Sequence, residues 1–114
     1  MIQIVTNNDL SGYRNTWLSA KPFPHIVLDN FVDNASSLSE EFPDSAWPNW
    51  IPLGDAYQKN KYICSDIGEF PLSIRDLMIE LASPKFLGTI EQITAIGGLI
   101  PDPYLEGGGD CIFH

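Results

Sequence analysis

Leu99-Ile100-Pro101-Asp102-Pro103-Tyr104-Leu105-Glu106-Gly107-Gly108-Gly109 is the stretch on which the reading of this 114-residue chain turns. It begins apolar, passes an aspartate flanked by prolines, and closes on three glycines ahead of Asp110-Cys111-Ile112-Phe113-His114. Glycine admits positive φ and lets the backbone approach a ligand or another strand closely. No Lys-Ser or Lys-Thr follows the glycines, so a phosphate-binding P-loop is excluded. No helical pattern follows either, which argues against a dinucleotide-binding turn. Two readings of Gly107, Gly108 and Gly109 stay open: a tight turn or bulge leading into a strand, and direct ligand contact. Asp102 and Glu106 form a carboxylate pair beside them, but a catalytic pair needs a base, acid or metal partner. Pro101-Asp102-Pro103 reads more simply as a turn in which Asp102 bonds local backbone.

Upstream of this stretch the hydrophobic periodicity predicts short elements. Leu10, Tyr13, Arg14, Trp17 and Leu18 fall on one side of a helix from about Asn8 to Ser19, with Asn8 or Asp9 as cap. Lys21-Pro22-Phe23-Pro24 stops it. His25-Ile26-Val27-Leu28-Asp29-Asn30-Phe31 reads as a buried strand with β-branched residues at its centre. Asp33 or Asn34 is placed to cap a short helix through Leu38 to Phe42, ended by Pro43. Ser45 to Tyr57, with two tryptophans, two prolines and a glycine, reads as an ordered loop. Lys59 to Cys64 predicts a second strand. A helix capped by Ser73, with Asp76 in the capping-box position, presents Ile74, Leu77, Met78 and Leu81. Ser83 then caps another helix that starts on Pro84, where a missing N–H costs nothing. That helix turns Phe86, Leu87, Ile90 and Ile93 inward and ends at Gly97-Gly98. Leu99 to Leu105 is read as extended. The predicted order is helix, strand, helix, strand, helix, helix, strand within one domain over 1–114, an α+β class.

Composition narrows the function classes. Hydrophobic residues make up 44% and charged residues 18%, the balance of a folded chain rather than a disordered one. Nine prolines and nine glycines are many for this length and fit short elements joined by loops. The net charge of −9 argues against a nucleic-acid partner, whose phosphates call for clustered Lys and Arg. It suits a basic peptide or protein, or plain solubility. No apolar stretch approaches the ~20 residues that span a bilayer, and no signal peptide is visible, so no membrane partner and a cytoplasmic location are expected. Cys64 and Cys111 stand 47 positions apart without metal-ligand spacing and are expected to be reduced, half-buried residues.

Three pieces of this chain, in order, resemble iron(II)/2-oxoglutarate dioxygenases of the prolyl-4-hydroxylase-like group. Pro22-Phe23-Pro24-His25-Ile26-Val27-Leu28-Asp29-Asn30-Phe31 is similar to that group's opening strand. Leu81 through Phe86-Leu87 to Ile93-Thr94-Ala95-Ile96 is similar to its helices ahead of the catalytic barrel. Leu99 to Gly109 resembles the approach to its metal site, where a strand bearing a His-x-Asp pair follows the glycines. The resemblance implies helices packed on the first strands of a double-stranded β-helix, the jelly-roll or cupin-like barrel. In the intact family domain that barrel holds Fe(II), and oxidative decarboxylation of 2-oxoglutarate drives C–H hydroxylation. A protein or peptide side chain, or a small molecule, is the implied substrate.

The chemistry that resemblance implies has a strict requirement. Iron in such a site is held by two histidines and a carboxylate on one face, with positions left open for co-substrates. A basic residue must also pair with the distal carboxylate of 2-oxoglutarate. This chain has two histidines. His25 and Asp29 would share a strand face but stand ~13 Å apart at ~3.3 Å per residue, too far for one metal. His114 is the last residue. No His-x-Asp pair and later His can be assembled, so no metal or catalytic residue is assigned and neither Fe(II) nor 2-oxoglutarate is expected on this chain alone. His25 instead reads as a residue that satisfies a loop carbonyl or stacks on an aromatic ring. Lys61 and Tyr62 are the substrate-binding candidates: a lysine beside an aromatic can contact a carboxylate, or line a sheet edge and deter aggregation. Trp47, Trp50 and Tyr57 either line a groove or anchor a loop. The expectation is an N-terminal portion of an oxygenase domain that is not catalytic by itself. Ile112 and Phe113 are read as a strand just begun, and a shift of reading frame after Gly109 would explain the departure from the family's continuation. The alternative is a complete small non-catalytic binding or interaction domain.

Overall fold

The computed structural model describes Ile4 and residues 9–53, 61–102 and 111–113. Four helices and a three-stranded antiparallel sheet make up the described part, an α+β arrangement. The helices are α1 (Leu10–Ser19), α2 (Ala35–Glu41), α3 (Leu72–Leu81) and α4 (Pro84–Thr94). The strands are β1 (Ile51–Leu53), β2 (Lys61–Cys64) and β3 (Cys111–Phe113), in the order β1-β2-β3. Gly107 to Gly109, Glu106, Tyr57 and His114 lie outside the described residues.

The two best-specified helices pack on each other. Asp9 caps α1 by accepting from the Gly12 N–H at 3.0 Å. Ser83 caps α4 through the Phe86 N–H at 3.2 Å, and Pro84 follows in the first turn. Leu10, Tyr13 and Trp17 are half-buried where α1 meets α4, whereas Leu18 stays 56% exposed, so the apolar stripe is narrower than its spacing predicted. The Arg14 Nε donates to the Gln92 carbonyl near the end of α4. That end falls at Thr94, earlier than the predicted Gly97-Gly98, because Ala95 takes the left-handed turn at φ 61° and donates to Glu91 O. Replacing Ser83 by alanine removes this cap and the hydroxyl's 2.7 Å bond to Glu80 O. A loss of about 1 kcal/mol is expected, read as a lower urea midpoint with unchanged slope.

Capping of α3 differs from expectation. The helix begins at Leu72 after Pro71, with Ser73 inside its first turn and buried. Glu41, on α2, accepts from the Ser73 N–H at 3.1 Å, and the Ser73 hydroxyl donates to Ser37 O at 3.4 Å. A free N–H of the first turn is thus satisfied by another helix rather than by a local hydroxyl. Asn34 occupies the N-cap position of α2 at φ 52° without a side-chain cap bond.

Two strand predictions need correction. His25 to Phe31 forms no strand: Val27 is 80% exposed, and Asp29-Asn30 turns, with Asn30 at φ 52°. Val32 makes only an isolated antiparallel bridge to Ile4. A β-branched run has no strand of its own without a neighbour to pair with. Conversely, the predicted loop from Ser45 to Tyr57 contains β1. Pro52 lacks an N–H, which an edge strand tolerates, and β1 is an edge. The described order is therefore helix, helix, strand, strand, helix, helix, strand.

A second core lies between the sheet, α2 and α3. Trp50, Cys64, Phe70 and Ile74 are buried there, with Leu38, Trp47 and Tyr62 packed around them. Trp47 and Trp50 meet edge to face at a centroid separation of 5.1 Å, and Phe70 lies 5.0 Å from Trp47 and 5.9 Å from Trp50. Such aromatic geometry adds to simple area burial.

Candidate functional site

Lys61 and Tyr62 both lie on the central strand, β2. Successive strand residues face opposite sides of a sheet, so the two do not project together. Tyr62 shares the face of Cys64 and packs on the aromatic core. Lys61 shares the opposite face with Ile63, and the register sets Ile63 against Ile51, which is 61% exposed. Leu38 of α2, Ile74 of α3 and the aromatic cluster thus pack on one side of the sheet. The other side carries Lys61 and Ile63, both half-buried, and the exposed Ile51.

The other sequence candidates are placed as follows. His25 is exposed; its Nδ1 lies 2.9 Å from Phe23 O, so the ring donates there, and the two rings meet edge to face at 5.6 Å. Trp50 is buried and donates its indole N–H to Asp44 O at 2.8 Å, which anchors the loop before β1. Trp47 is half-buried against it. Asp102 is exposed in a segment without regular structure. Among the described residues, no group of three or more His, Cys, Asp and Glu side chains could hold a metal ion. The described residues alone do not fit a facial-triad iron site. Among the described residues, no helix is long and apolar enough to cross a membrane.

A feature that residue patterns did not show is a cleft of about 560 Å³ at the Cys64 end of the sheet. Asn49, Ile51, Cys64, Asp66 and Glu69 line it. It depends on β1 pairing with β2, and β1 was hidden by its proline. Asp66 closes the turn there by accepting from the Gly68 N–H at 3.0 Å.

Comparison with protein-family models, curated proteins and solved structures finds no match for this chain.

Proposed function

We propose that these residues form the helical support and first strands of an iron(II)/2-oxoglutarate oxygenase domain, a hydroxylase of a protein side chain or small molecule. In this reading the iron ligands are supplied by residues other than these 114, and the chain alone is not catalytic. The observation that carries the reading is that, among the described residues, the aromatic cluster with α2 and α3 packs on one side of the sheet. The opposite face bears Lys61 and Ile63 on β2 and Ile51 on β1, the make-up of a barrel interior that would receive a substrate carboxylate. The strand β3 pairs with β2 and follows the glycine run, which agrees with glycines that lead into a sheet. Lys61 would then be the group that meets a carboxylate, and Tyr62 would hold the strand against the aromatic core.

The test is to read the coding sequence beyond the codon for His114 in all three frames. A His-x-Asp pair soon after the glycine codons, with a later His and an Arg, is expected. Their absence from every frame would overturn the reading. The 114-residue chain, given Fe(II) and 2-oxoglutarate, is expected to release no succinate above an iron-only blank. Turnover by this chain would refute the placement of the ligands elsewhere.

A further inference from the structure

Cys64 and Cys111 are brought opposite each other by the pairing of β2 with β3. Directly opposed residues in an antiparallel pair have Cα atoms about 4.5–5.5 Å apart. That lies inside the roughly 4.4–6.8 Å span that a disulfide bridges. We propose that Cys64 and Cys111 are a reversible cross-strand disulfide site, oxidised by a small disulfide such as glutathione disulfide. The bond would tie the strand that follows the glycine run to the centre of the sheet. Among the described strands β3 pairs with β2 alone, so the redox state of this pair sets how firmly that strand is held.

The chemistry fits as well. Cys64 is 4% exposed and is among the residues that line the cleft at the end of the sheet. The Cys64 thiol donates to Asp66 O at 3.7 Å. One protein thiolate attacks a glutathione sulfur, forming a mixed disulfide and expelling one glutathione thiolate. The second protein thiolate attacks the protein sulfur of that mixed disulfide and expels the second glutathione. Two thiol protons and two electrons leave the protein, and one glutathione disulfide becomes two glutathiones. In the unfolded chain the two cysteines are 47 positions apart and rarely meet, whereas the sheet holds them in register.

The test is equilibration of the chain in graded mixtures of reduced and oxidised glutathione, followed by acid quench and non-reducing peptide mapping. The expected product is a monomer lighter by two hydrogens in which the Cys64 and Cys111 peptides are linked. Half-oxidation of the folded chain is expected at a roughly 100-fold lower ratio of oxidant to reductant than in concentrated guanidinium. C111S is expected to take up one glutathione at Cys64 and form no internal link. A folded wild type that stays reduced, accumulates protein–glutathione adducts, links between copies, or crosslinks no more readily than the denatured chain would overturn the proposal. The folded-against-denatured comparison needs no variant, so it stands even if C111S folds poorly.

Discussion

Ile93→Ala is expected to destabilise the chain by about 3–4 kcal/mol, seen as a large fall in the urea midpoint. Ile93 is 1% exposed, the most completely buried large side chain among the described residues. It lies near the end of α4, on the helix that α1 packs against. Removal of its branched side chain costs the transfer energy of the lost carbons and leaves a cavity that two helices joined by side-chain contact fill only partly. Global stability for 114 residues is expected at about 6–17 kcal/mol, so one substitution takes a sizeable share. Ile93→Val should cost about 1 kcal/mol, because most of the volume stays. Equal losses for the alanine and valine variants would show that the volume of the Ile93 side chain is not what stabilises the fold there.

How much of this was legible in the sequence depends on where each element finds its partners. Helices α1 and α4 were readable because Asp9, Ser83 and Pro84 act within a few residues of the bonds they satisfy. The start of α3 was misread because its acceptor, Glu41, is 32 residues away and carries no local signal. The run His25 to Phe31 has strand-like composition but no pairing neighbour among the described residues, and β1 has a neighbour but a discouraging proline. Strand composition is a statement about fit to a pleated surface, and pairing decides whether that surface exists. The same holds for the site. Lys61 and Tyr62 are adjacent in sequence, but only the register shows that Tyr62 meets the core and Lys61 lies on the opposite face. The opposition of Cys64 and Cys111 is likewise a property of β2 against β3, invisible in a spacing of 47.

Trp50→Ala tests the second core and is expected to cost about 3–5 kcal/mol. Trp50 is 7% exposed and holds three ring contacts, to Trp47 at 5.1 Å, Phe70 at 5.9 Å and Phe42 at 6.1 Å. Truncation removes all three and strips Asp44 O of the indole N–H that ties down the loop before β1. Because the same side chain directly precedes Ile51, both the edge strand and the floor of the aromatic cluster should loosen together. Near-UV circular dichroism from the coupled Trp47 and Trp50 rings should collapse while far-UV helix signal is kept at low temperature. Trp50→Phe separates the two contributions: it keeps a ring in the cluster and forfeits the hydrogen bond, for an expected cost of about 1–2 kcal/mol. Ile93 lies on α4, outside the buried cluster that holds Trp50, so their costs should add within about 0.5 kcal/mol. A double variant would then lose about 6–9 kcal/mol, from about half to all of the stability expected at this length, and its loss should equal the sum of the two single losses. A double variant that still unfolds cooperatively, with a loss well short of the sum, would instead mean that the two clusters form one coupled core.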